Sequence, residues 1–142
     1  MKKVPPDIED ILNGYHADRI IYENDLFLVV RDPNHYDDDL YHYTAWCKED
    51  LRSLLDIERK HIPSIHTIIH WLETYKNIYE TKQFIHFPPQ FWRLHIHFMS
   101  SEHFQEINIR SPHHTHNLSD VIQNIRHNEE YYRQNVIIIP RS

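Results

Sequence analysis

The stretch Phe91-Trp92-Arg93-Leu94-His95-Ile96-His97-Phe98-Met99 decides how this chain is read. Successive side chains of a β-strand point to opposite faces. As a strand, it puts Trp92, Leu94, Ile96 and Phe98 on an apolar face fit for a core, and Arg93, His95 and His97 on the other. A guanidinium beside two imidazoles suits phosphoryl or nucleotidyl transfer. Neutral imidazole is a nucleophile near pH 7, and a neighbouring cation neutralises phosphate oxygens as charge develops on them. Arg also matches phosphate with two parallel donors. Two other readings stand beside this one. The face is inert surface in a chain with 14 His, or it is half of a metal site, since imidazoles two apart on a strand converge on one ion. His113, His114 and His116 offer a third ligand, and His114 or His116 a contact to phosphate; against metal, no H-E-x-x-H spacing occurs and Arg93 repels a cation.

Outward from that strand, the chain alternates short elements. Phe84–Phe87 reads as the preceding strand, joined through Pro88-Pro89-Gln90. Upstream, Ile62, Ile65, Ile69 and Leu72 recur at three and four, predicting a long helix from about Pro63 to Tyr79, with a short helical lead-in before it and Asp56 as a helix cap. Arg19–Tyr22 and Leu26–Arg31 form a hairpin around Glu23-Asn24-Asp25, and Tyr41–Cys47 is a third strand. Asp7–Asn13 is a short helix that Pro5 and Pro6 precede and Gly14 closes. Ser119–Arg126 is a short amphipathic helix and Val136–Ile139 a terminal strand. The expected fold is α+β, a mainly antiparallel sheet of about five strands with one long and one or two short helices.

At 142 residues the chain predicts one domain over 1–142, with residues 1–6 a flexible end. A lone cysteine, Cys47, excludes an internal disulfide and a multi-cysteine zinc module. The single Gly excludes glycine-rich phosphate loops, so any phosphate must be held by side chains or helix ends. A net charge of -6 argues against a broadly basic nucleic-acid surface. No apolar run is long enough to span a bilayer, and the amino end lacks the apolar core of a signal peptide, so a cytoplasmic chain without membrane contact is expected. His66 and His70, spaced i, i+4, are read as helix surface, Tyr36-Asp37-Asp38-Asp39 as a solvated loop, and Trp46 and Cys47 as core.

Arg93-Leu94-His95-Ile96-His97-Phe98 resembles the motif of the histidine-triad (HIT) superfamily. The wider chain is similar to the carboxy-terminal domain of scavenger mRNA decapping enzymes. Ala17–Asn24 resembles that family's first hairpin strand, Leu51–Ile57 with His61-Ile62-Pro63 its lead into the long helix, and Phe84–Gln90 its strand and turn before the triad. Ser119–Ile125 and Tyr131–Gln134 resemble its closing helix and turn. The likeness runs from about residue 8 to the end, with no counterpart of the eukaryotic enzyme's amino-terminal domain.

The resemblance implies a HIT-like homodimer that hydrolyses a phosphoanhydride in a nucleotide or cap-derived small molecule. No cofactor, metal or long nucleic acid is required. By position, His95 falls on the histidine that forms a covalent nucleotidyl intermediate, His97 on the last triad histidine, and His86 on a phosphate-pocket histidine. Asp32 falls on a cap-contacting aspartate, and Gln90 and Phe91 on substrate-lining positions. The pattern departs in four places. Arg93 replaces the first triad histidine, and Asn34 a basic residue near the cap. No aromatic stands near Asp7, where the family stacks 7-methylguanine, and no carboxylate at Tyr15 or His16, where it reads the base. A nucleotide-binding protein that has lost turnover is the alternative reading, and a metal-dependent hydrolase a further one.

Overall fold

The computed structural model describes residues 4–31, 41–78, 81–101 and 115–135. Six strands form one antiparallel sheet: β1 (Ile20–Glu23), β2 (Phe27–Arg31), β3 (His42–Cys47), β4 (Lys82–His86), β5 (His95–Met99) and β6 (Thr115–Asn117), in the order β1-β2-β3-β5-β4-β6. Among the described residues four α-helices accompany it: α1 (Pro6–Leu12), α2 (Ile62–Tyr75), α3 (Leu118–His127) and α4 (Tyr131–Asn135). The fold is α+β.

Residue alternation sorts the sheet into two faces. Phe27, Val29, Tyr43, Ala45, Cys47, Ile85, Phe87, Leu94, Ile96 and Phe98 point to the larger core, where Ile62, Ile65, Ile68 and Leu72 of α2 and Leu118, Val121, Ile122 and Ile125 of α3 meet them. Ile69 is only partly buried, so the helical stripe lies one residue nearer the amino end at that turn. The other face carries a smaller core, in which Ile8 and Ile11 of α1 pack on Leu28, Val30 and Trp46. That small core covers one part of the second face and leaves the rest to the polar residues of β3, β4 and β5.

Local chemistry fixes the ends of the elements. Gly14, at φ 97°, closes α1: its N–H donates to the Ile11 carbonyl and the Tyr15 N–H to the Asp10 carbonyl. The β1–β2 turn is tied by Asn24, whose Oδ1 accepts from the Leu26 and Phe27 N–H groups. Its Nδ2 donates to the Ser64 carbonyl and Thr67 Oγ1, fastening the hairpin to α2. A short helical lead-in, the 3₁₀ turns Leu54–Asp56 and Arg59–His61, precedes α2, and Asp56 belongs to it. Asp56 closes the first of these turns, which Ser53 caps, accepting from the Ser53 N–H while Ser53 Oγ accepts from the Leu55 N–H. α2 stops at Tyr75, short of Tyr79, because Asn77 turns to φ 55° and the Ile78 N–H returns to the Leu72 carbonyl.

Two elements differ from expectation. β5 starts at His95, so Phe91–Leu94 is irregular chain leading into it. β6, where no strand is predicted, pairs Thr115, His116 and Asn117 with β4. Val136–Ile139, Tyr36–Asp39, His113 and His114 lie outside the described residues. Among the described residues no helix is long and apolar enough to cross a membrane.

Candidate active site

The register of three strands builds the site. His95 lies opposite Trp46 on β3, and His97 lies opposite Thr44 on β3 and Phe84 on β4. Directly opposed side chains on one face of a sheet touch, and here each imidazole is covered by an aromatic partner. The Trp46 and His95 rings stack at 4.2 Å and 20°. The Phe84 and His97 rings stack at 5.1 Å and 14°. His86, two residues beyond Phe84 on the same face, meets His97 edge-on at 5.0 Å. His42 reaches diagonally across the β3–β5 ladder until its Nε2 lies 2.9 Å from His97 Nδ1. Four imidazoles thus share one patch.

They line a hollow of about 460 Å3 that runs from His42, His86, His95 and His97, past Thr44, Trp46, Gln90 and Phe91, to Ile8, Asp7 and Arg19. That volume fits a ligand of nucleotide size. At its far end Arg19 Nη1 donates to Asp7 Oδ2 at 3.1 Å, a half-exposed ion pair, and Arg31 also borders the space.

His95 has a defined proton. Its Nδ1 lies 2.7 Å from the carbonyl oxygen of Arg93. A carbonyl only accepts, so Nδ1 carries the hydrogen and Nε2 keeps its lone pair. Burial pushes the pKa of His95 down to about 4; the hydrogen bond to Arg93 opposes this, and His86 and His42 add to it. Burial likewise holds His97 well below the ordinary imidazole range, with further lowering from His95, His42 and His86. Both rings are neutral at pH 7 in the free protein. His42 and His97 share one proton between Nε2 and Nδ1, and His97 Nε2 has no hydrogen-bond partner among the described residues.

Arg93 sits elsewhere. The strand begins after it, so two-residue alternation does not carry its side chain to the imidazole face. Its Nε donates to the Cys47 carbonyl and its Nη2 to the Lys48 carbonyl, both at 2.8 Å. The guanidinium borders a different hollow, with Glu9 and Asp50. What Arg93 brings to His95 is its backbone carbonyl, anchored by those two bonds and by the neighbouring Leu94 N–H bond to the Leu51 carbonyl.

Of the residues singled out from sequence, His86, Gln90, Phe91, His95 and His97 line one hollow. Asp32 and Asn34 lie outside the described residues. His66 is on the exposed surface of α2, its Nε2 2.8 Å from Arg126 Nη2, and His116 faces Tyr132 away from the imidazole patch. His42, Thr44, Asp7, Arg19 and Arg31 border the hollow without having been picked out for it, and Trp46, read as core, borders it as well. Period-two counting back from Trp46 along Tyr41–Cys47 reaches His42, which was the signal available. Among the described residues no group of three or more His, Cys, Asp or Glu side chains is arranged to hold a metal ion. Cys47 is buried in the larger core, which pushes its thiol up to about 11.

Comparison with known proteins places this geometry. The family model described as scavenger mRNA decapping enzyme C-term binding matches residues 8–113. The chain belongs to that family. It is 27% identical over 138 residues to the m7GpppX diphosphatase of Homo sapiens, covering 85% of this chain and 39% of that protein. To the m7GpppX diphosphatase of Sus scrofa it is 26% identical over 140 residues, with the same coverage. The chain spans about two fifths of the length of these relatives. Among solved structures, the aprataxin ortholog Hnt3 from Schizosaccharomyces pombe aligns with a TM-score of 0.49 at 18% identity, over 72% of this chain and 59% of that one.

Proposed function

We propose that this chain hydrolyses a phosphoanhydride bond in a nucleotide-containing substrate through a covalent nucleotidyl intermediate on His95. The observation that carries this reading is the 2.7 Å bond from His95 Nδ1 to the Arg93 carbonyl, which leaves Nε2 unprotonated. In the first step Nε2 forms a bond to phosphorus, the bridging P–O bond breaks, and the leaving phosphate departs with the electron pair. In the second, water attacks the same phosphorus, the P–N bond breaks, the lone pair returns to Nε2, and the proton that water loses passes to solvent.

The neighbouring residues take supporting roles. A phosphate oxygen accepts and does not donate, so the His97 nitrogen that meets it must carry a proton. That requires His97 Nδ1 to be bare and His42 Nε2–H to donate to it across their 2.9 Å contact. His86 adds a further ring at the phosphates. Arg19 and Arg31 are the guanidinium groups bordering the hollow, and they take the charge-neutralising part that Arg93 does not reach. Gln90 and Phe91 wall the nucleoside side. The family favours a cap-derived dinucleotide, and the Asp7–Arg19 rim, without the family's aromatic stack there, leaves other nucleoside polyphosphates as candidates. A cytoplasmic homodimer is the assembly this reading carries with it.

One observation favours a second reading, a nucleotide-binding protein without turnover: Arg93 occupies the first triad position and turns its guanidinium away from the patch. A panel of methylated cap analogues and dinucleoside polyphosphates, followed by mass spectrometry with chelator present, separates the two. Release of a nucleoside monophosphate supports hydrolysis. Nucleotide binding with no product from any substrate supports the binder.

A further inference from the structure

The covalent step raises a problem that the His95 surroundings must answer. When Nε2 gives its lone pair to phosphorus, Nδ1 still carries its hydrogen, so the imidazole ring becomes a cation. A carboxylate partner would take up that proton or balance the charge. Here the partner is the neutral carbonyl of Arg93, which does neither. The ring is 8% exposed, so water does not solvate the charge well. Nearby His42, His86 and His97 add no negative charge.

One group covers the face of this ring. Trp46 is 5% exposed, lies directly opposite His95 in the ladder, and stacks on it at 4.2 Å and 20°. The face of an indole is electron-rich and attracts a cation seated over it, most strongly where both are desolvated. Trp46 is itself held by Ile8, Ile11, Leu28 and Val30, so it does not need to move to make this contact. We propose that Trp46 is a positioning residue for the reaction, its indole face stabilising the cationic nucleotidyl-imidazole formed on His95. This inference rests on the His95 intermediate proposed above. It adds to it a reason for an aromatic of this size at position 46, where simple core filling would accept an aliphatic side chain.

The contact also fixes geometry. With one face against Trp46 and Nδ1 bound to Arg93, the ring has one orientation in which Nε2 faces the hollow. The attacking atom is thus in place before substrate arrives, which is where such preorganisation gains rate.

The test uses isosteric replacement, because it changes the ring's charge distribution and leaves packing alone. Fluorinated tryptophans weaken the negative face stepwise at constant shape. They are incorporated at position 46 in the full chain with Trp71 and Trp92 unlabelled, and nucleotidyl-His95 is quantified in single-turnover reactions quenched in alkaline denaturant. The expected result, read at saturating substrate, is a stepwise fall in adduct with each added fluorine, reaching about tenfold for the most fluorinated ring. Trp46→Phe retains part of the adduct and Trp46→Leu loses it. Equal adduct across the fluorinated series overturns the role of Trp46 while leaving the His95 mechanism standing. Absence of any adduct with unmodified Trp46 overturns both.

Discussion

Acidification reads out the protonation state of His95 directly. In the folded protein burial lowers its pKa from 6.5 to about 4. In the unfolded chain it titrates near its ordinary value. Between those two values the unfolded state takes up a proton that the folded state refuses, so falling pH draws the equilibrium toward unfolding. The contribution is whole above about pH 6.5, declines as pH falls toward 4, and changes no further below that. At roughly 1.4 kcal/mol per pKa unit, the full difference is about 3 kcal/mol, of which about 2.5 kcal/mol has gone by about pH 4.5. That is a large share of the stability of a typical domain of this size. Other groups take up protons in the same range on unfolding, His97 among them, so the measurement is a difference. Urea unfolding is followed at about pH 7.5 and about pH 4.5 for the native chain and for His95→Asn, which keeps a donor for the Arg93 carbonyl and does not titrate. The native chain loses about 2–3 kcal/mol more than the variant. Equal losses would mean that His95 titrates normally, and the claim that burial reserves its lone pair at neutral pH would fail.

Two further predictions concern the supports of the site. Arg93→Ala removes both bonds to the Cys47 and Lys48 carbonyls, costing about 1–3 kcal/mol in chemical denaturation because partly exposed donors are lost. It also lowers turnover by loosening the carbonyl under His95 Nδ1, and turnover at the native level would show that this carbonyl needs no anchoring. Asn24→Ala releases the hairpin from α2 and leaves the Leu26 and Phe27 N–H groups without their acceptor. It costs about 1–3 kcal/mol with little change in turnover, checked by parallel unfolding and rate measurements.

Much of the fold is legible in the sequence because its signals are local. Glu23-Asn24-Asp25 marks a hairpin since Asn can bond its own turn, and the isoleucines of α2 repeat at helical spacing. The site is legible only in part. His95 and His97 sit two apart on a strand and so declare a shared face. His42 is 55 residues from His97, and period-two counting puts it on one face with Trp46 but does not say which strand that face meets until β3 is laid beside β5. Trp46 reads as core for the same reason, although its indole turns to the imidazole face. Arg93 misleads because alternation holds only inside a strand, and the free carbonyls of Cys47 and Lys48 claim its guanidinium before the strand begins. β6 carries no periodic signal in Thr115-His116-Asn117; it exists because β4 offers an edge to pair with.

The central claim is that His95 Nε2 attacks phosphorus. The most direct measurement is peptide mass spectrometry of protein mixed with excess cap dinucleotide or dinucleoside polyphosphate and quenched within the first turnover in alkaline denaturant, which preserves P–N bonds. A nucleoside monophosphate adduct on His95, absent from His95→Asn, is the predicted result. Hydrolysis that proceeds with no adduct, or with the adduct on another residue, contradicts it.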